Sequence, residues 1–252
     1  MKKTLLVLGA LVVISAMASG QSVTSRGIGL PQAAKNAAPL SIPPGCNPCL
    51  WYAGDFDPGN PNAAALGNTN STWGPFKSQT WVPFIPASDG NPLHKHVLIS
   101  SVTFNELTTT PDTNPPADFA GMTYGFRTGV LAGSGGKLGK KGICPATSVT
   151  YTGDSPFGYN EFSYTCDLSL KPVKVAVGTI AWVNVLPTFT VSNIGFLSDA
   201  VDVQANNQFG WSDDFYNSFF DSASFGYNFA PATTFGPGYS QFAVAIAGTY
   251  VL

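Results

Sequence analysis

Proline and glycine interrupt this chain so often that no helix-length apolar stripe survives between them beyond the N-terminal segment. What remains is a series of short β-prone runs at 50–54, 80–85, 96–105, 122–130, 148–152, 159–166, 173–185, 207–211 and 241–251. Each is bounded by Pro, Gly, Asn or Asp. Val97 to Phe104 is apolar at first and then alternates with small polar residues; Val175, Val177, Thr179, Ala181 and Val183 share one face of another run. Such strands predict an all-β domain, a two-sheet antiparallel sandwich of jelly-roll type. Only 10% of the residues are charged, against about 25% in average domains, so Asn, Ser, Thr and Gln must supply the surface polarity. Twelve basic residues against fourteen acidic ones exclude nucleic acid as a partner, which needs clustered Lys and Arg.

Lys2 and Lys3, the apolar run that follows and the small-x-small sequence Ala16-Met17-Ala18 read as a signal peptide over residues 1–18. The apolar core is short of the roughly 20 residues a membrane helix needs, and no later stretch approaches that length. Residues 19–45 lack periodicity and read as a flexible lead-in; residues 46–252 form a single β-sandwich domain. The expected location is secreted, periplasmic or at the cell surface, where disulfides persist. Cys144 and Cys166 flank the turn signal Gly153-Asp154-Ser155-Pro156, and a hairpin centred on Ser155 sets them opposite one another. Cys46 and Cys49 then pair locally across Asn47-Pro48. A redox or zinc role for that CxxC lacks a following helix or a second close pair.

Asp55, Asp57, Asn60 and Asn62, with Asn68 and Asn70 beyond, crowd hard oxygen ligands into one region and make calcium the one candidate cofactor. Asp55-x-Asp57-x-Gly59 starts like an EF-hand, but Leu66 stands where the bidentate Glu belongs, so only an irregular loop site fits. A second oxygen-rich run holds Asp199, Asp202, Asn206, Asn207, Asp213 and Asp214. His94 and His96 would share a face if both lay on a strand, yet the cupin-like Glu is missing. Glu106 and Glu161 are the only glutamates, no nucleophile elbow occurs, and no catalytic residue is assigned. The Gly-rich stretch 131–140, with Lys137, Lys140 and Lys141, reads as a mobile hairpin tip. Trp211, Phe215, Tyr216 and Tyr227 stand out as candidate binding residues within an aromatic block interleaved with Asp, Asn and Ser, a mixture suited to stacking on sugar rings.

The segment Trp51-Tyr52-Ala53-Gly54-Asp55-Phe56-Asp57-Pro58, the Asn-rich loop after it, Phe126-Arg127-Thr128-Gly129-Val130 and Phe157-Gly158-Tyr159-Asn160-Glu161 resemble an exported bacterial β-sandwich family with a GDFDP-type N-terminal motif. Some relatives in that family end in a PEP-CTERM sorting segment, whereas this sequence ends Tyr250-Val251-Leu252. The resemblance implies a sandwich architecture and no assigned activity. The expected function is therefore a non-catalytic extracellular or surface-associated protein that binds polysaccharide, matrix or another protein. Alternatives are a structural envelope protein that self-associates through strand edges, and a hydrolase using Asp and Glu. The calcium expectation has a direct check: the melting midpoint should rise in millimolar calcium and fall with EDTA, and an unchanged midpoint removes the ion.

Overall fold

The computed structural model describes residues 46–54, 65–71, 76–108, 116, 118–153, 159–190, 195–198, 217–235 and 242–252. The expected signal peptide and lead-in, the 207–211 strand, the Asp55–Asn62 oxygen cluster, the Asp199–Asp214 cluster and the aromatics Trp211, Phe215 and Tyr216 lie outside those residues. The described ones are strands with two short 3-10 turns, at Ala223–Phe225 and Ala232–Phe235, and none of their helices is long and apolar enough to cross a membrane.

The strands form two sheets packed as a sandwich. The first holds β1 (Cys49–Tyr52), β2 (Ala65–Gly67), β5 (His96–Thr108), β8 (Ala146–Tyr151), β9 (Asn160–Asp167), β10 (Val173–Ala176), β12 (Gly195–Ser198) and β15 (Val244–Val251). The second holds β3 (Thr69–Ser71), β4 (Phe76–Phe84), β6 (Phe119–Thr128), β7 (Lys137–Cys144), β11 (Ala181–Phe189), β13 (Phe219–Ser222) and β14 (Tyr227–Pro231). Pairing is antiparallel except for a short parallel contact of β3 with β11, where Thr188 faces Asn70.

β5 organises the first sheet. One edge pairs with β10 and then β9, the other with β15 and then β12. Its sequence contains a change of phase: Val97 and Ile99 face the core, and so do Val102 and Phe104. A bulge resolves the conflict, because Ala247 pairs with Ser101 while Gly248 pairs with Ile99, leaving Ser100 over. One inserted residue restores the apolar set to the inner face. Across the gap, Val82 and Phe84 of β4, Phe126 of β6 and Val183 and Val185 of β11 complete the core. Phe84 meets Phe126 edge-to-face at 6.0 Å between centroids. Each such buried side chain stabilises by roughly 1.5–3 kcal/mol relative to exposure.

Three expectations are corrected here. The 173–185 run is not one strand. Gly178, at φ 72°, turns the chain so that β10 pairs with β5 in the first sheet while β11 enters the second. The Gly-rich 131–140 stretch is a hairpin tip only in its first part, between β6 and β7, because from Lys137 it becomes β7, an eight-residue strand paired along β6. There the ring of Tyr124 lies over Gly142, where a Cβ would stand only 3.1 Å from Cε1. Both cysteine pairs are disulfides, Cys46–Cys49 and Cys144–Cys166, but the hairpin argument for the second has the wrong geometry. Thr150 pairs with Ser163 and the partner of Cys166 is Ala146, whereas Cys144 ends β7 opposite Met122 in the other sheet. The 144–166 bridge, with Cα atoms 5.5 Å apart, therefore staples one sheet to the other.

A Cys144→Ala/Cys166→Ala double variant should lose about 3 kcal/mol in urea unfolding, the chain-entropy value for a loop of this size. An unchanged midpoint would show that the core alone holds the sheets in register.

Candidate functional site

Between β2 and β3 the chain passes from the first sheet to the second, and the residue at the crossing is Asn68, fully buried. Its side chain sits where β4 and β11 diverge. Asn68 Oδ1 accepts from the Thr80 backbone N–H at 3.2 Å and from Asn184 Nδ2 at 2.7 Å. Its Nδ2 donates to the Val185 carbonyl at 2.8 Å and to Glu106 Oε2 at 3.1 Å. The carboxamide thus replaces a missing ladder rung and uses its full donor and acceptor capacity. Asn184 Nδ2 also donates to the Thr80 carbonyl at 2.9 Å, while its Oδ1 accepts from Gln79 Nε2 at 3.0 Å. Asn68 is thereby committed to the protein interior and is not left to a surface cation loop, while half-buried Asn70 donates through its Nδ2 to Thr188 Oγ1.

Glu106 projects from β5 into this centre and is fully buried. Desolvation holds its carboxyl well above the usual carboxylate range, opposed by the Asn68 amide. Burial, then the proximity of Glu106 and Asp118, also pushes the Tyr164 phenol up. The other glutamate is not its partner. Glu106 pairs with Phe162 and Leu107 with Glu161, so on adjacent rungs the two carboxyls leave the sheet from opposite faces. That arrangement does not set two glutamates around one scissile bond.

The histidines are also separated by function. β5 begins at His96, and His94 precedes it in the connecting segment. His94 Nδ1 contacts Asp89 Oδ2 at 2.7 Å, its Nε2 lies 3.3 Å from Asn91 Nδ2, and its ring stacks on Tyr250 at 5.9 Å. The hydrogen bond to His94 is the main cause lowering the Asp89 pKa. Among the described residues, no three His, Cys, Asp or Glu side chains gather as a metal site.

A polar row crosses the outer face of the second sheet. Alternation along β4 turns Thr80 and Val82 inward and Gln79 and Trp81 outward. Ladder pairing then sets Asp221 beside Gln79, and Asn184 beside Gly125 and Lys141. The next row holds Phe219 and Trp81, then Trp182, Arg127 and Leu138. Trp81, Val130, Trp182, Phe219 and Phe229 form a second small core on this face, which buries that part of it. Arg127 is stacked between rings, with Cζ 4.7 Å from the Trp81 centroid and 4.9 Å from that of Phe229, and Nη1 donates to the Gly135 carbonyl at 2.8 Å. Partial burial lowers the Arg127 pKa and raises that of Asp221, and the opposite charges of the two oppose both shifts. Around the row, Leu131 is 67% and Ile143 83% exposed, and Lys137, Lys140 and Lys141 lie along β7.

The aromatic block contributes to this surface differently from the expectation. Phe219 and Phe229 are buried in its foundation. Tyr227, 39% exposed, packs instead on Phe220 at 5.6 Å and Phe235 at 5.0 Å, away from the polar row. Sequence reasoning missed Gln79, Arg127, Asn184 and Asp221. The available signal was the alternation of Gln79-Thr80-Trp81-Val82, which puts a carboxamide and an indole together on one face. No family model, curated protein or solved structure matches the chain.

Two variants test the buried centre. Asn68→Ala strands the Thr80 N–H, the Val185 carbonyl and Glu106, and should cost about 4 kcal/mol, the sum of a few unsatisfied buried groups. Glu106→Gln keeps an acceptor for Asn68 without an ionisable proton. Because the folded carboxyl is raised, its stabilisation is complete below the unfolded value of about 4.3 and is lost as pH rises through the folded value. Melting curves from acid to alkaline pH should therefore show the glutamine variant matching the parent in acid and exceeding it at alkaline pH. The reverse crossing would refute the burial argument.

Proposed function

We propose that the chain is an exported, non-catalytic β-sandwich that binds an extracellular polysaccharide across the outer face of its second sheet. The observation that carries this reading is the row of Asp221, Gln79 and Lys141 beside the stacked Arg127, with Gln79 held in place by the buried Asn184. Carboxylate, carboxamide, guanidinium and ammonium groups on a rigid strand platform supply the donors and acceptors that fix hydroxyl-bearing rings, and exposed Leu131 and Ile143 offer apolar contact beside them.

The balance of charge selects the polymer class. Arg127 and Lys141 on this face, with exposed Lys137 and Lys140 along the β7 edge beside it, stand against Asp221, which favours chains bearing carboxylates over neutral glycans. Export is supported by the N-terminal sequence and by the two disulfides, which persist in oxidising compartments. The non-catalytic reading is supported by the opposed directions of Glu106 and Glu161.

Affinity electrophoresis against a polyuronate and a neutral glucan tests it. The parent should be retarded by the polyuronate, less so as salt rises, and weakly or not at all by the glucan. Lys137→Ser/Lys140→Ser/Lys141→Ser should reduce retardation by about tenfold or more, equivalent to about 1.4 kcal/mol, while Lys171→Ser, in the turn between β9 and β10, leaves it unchanged. Equal mobility of parent and triple variant in both gels would sink the proposal.

A further inference from the structure

The sheet edges are treated unequally. Unpaired strand edges recruit other strands unless they are buried, kinked or charged. β1 and β2 are largely buried along their length. β14 has its Phe229 carbonyl taken by the Gly133 N–H and ends in Pro231. β10 is four residues long and carries Lys174. β7 carries Lys137, Lys140 and Lys141. Among the described residues β8, Ala-Thr-Ser-Val-Thr-Tyr, pairs only with β9; its Thr147, Ser148 and Thr150 are exposed, and it holds no charge and no proline.

The ladder fixes which backbone groups face outward. The Thr152 N–H donates to the Glu161 carbonyl, so in antiparallel alternation the rungs at Thr150 and Ser163 and at Ser148 and Thr165 also exchange bonds. Val149 between them turns its N–H and carbonyl away from β9.

We propose that β8 is a self-association site, pairing antiparallel with β8 of a second copy about a two-fold axis at Val149. Such an axis lets the two Val149 residues exchange both backbone bonds and lays Ser148 beside Thr150 of the other copy. A second copy suits this edge because the strand is uncharged and presents nothing that repels itself, whereas β7 against β7 would juxtapose three lysines with three lysines. A six-residue ribbon contact falls at the small end of interfaces, below about 1,200 Å², so the dimer is weak and reversible in solution. This inference uses the other sheet from the polysaccharide row and stands or falls independently of it.

Sedimentation velocity of the mature chain over rising concentration reads it directly. The parent should move from monomer to dimer by about 1 mM, the range of weak association. Ser148→Lys/Thr150→Lys puts like charges across the axis and should stay monomeric throughout. Val149→Pro removes the outward donor while leaving the β8–β9 bonds and should do the same; an unchanged melting midpoint in either variant establishes that it is folded. A parent that stays monomeric at every concentration overturns the proposal and leaves the edge to a foreign strand, and a dimer that persists in both variants places the contact elsewhere.

Discussion

The side chain of Asn68 is the constraint on which the sandwich depends. Wherever a chain crosses from one sheet to the other, backbone groups in the receiving sheet lose their neighbours, and buried groups without partners are costly. A carboxamide offers two donors and two acceptor sites within a rigid plane, matching the geometry of a peptide group. At this crossing it satisfies Thr80 on β4 and Val185 on β11 in the second sheet, and reaches Glu106 on β5 in the first. An aspartate would lack the donors, and a leucine would leave every group stranded.

That crossing also relates the interior to the surface. Asn184 binds Asn68 through one end of its amide and Gln79 through the other. The polar row on the outer face is thus continuous with the buried centre, so its orientation is inherited from the packing of the sheets. Rigid support of this kind is what a recognition surface on strands requires. Trp81 and Trp182, in the next row of the same face, perform the corresponding apolar task, making the second sheet a layer buried over much of both faces.

Disulfides and edges complete the argument about environment. The 144–166 bridge joins the end of β7 to β9, fastening the two sheets where strand pairing cannot. Among the described strand edges, β7 carries three lysines and β8 no charge, so the same molecule has a charged boundary and a neutral one.

The amino-acid order by itself settled the class of fold, because proline and glycine cut the chain into strand-length runs whose alternation allows only sheets. It also marked β5 from its start at His96, although the strand runs on past the expected end at Asn105 to Thr108 and the bulge at Ser100 came only with the structure. Pairing of the cysteines was legible too, although the reason for it was not: the linear argument placed both on one hairpin, and the partners come from opposite sheets. Tertiary structure alone decided that Gly178 sends one apolar run into two sheets, that Asn68 is structural and not a cation ligand, and that Arg127, Gln79, Asn184 and Asp221 share a face. The physical reason is range. Periodicity and turn propensity are properties of neighbours along the chain, whereas a ladder row draws its members from strands whose residues lie up to about a hundred and forty positions apart, as Gln79 and Asp221 do, and only the register of the folded sheets brings them together.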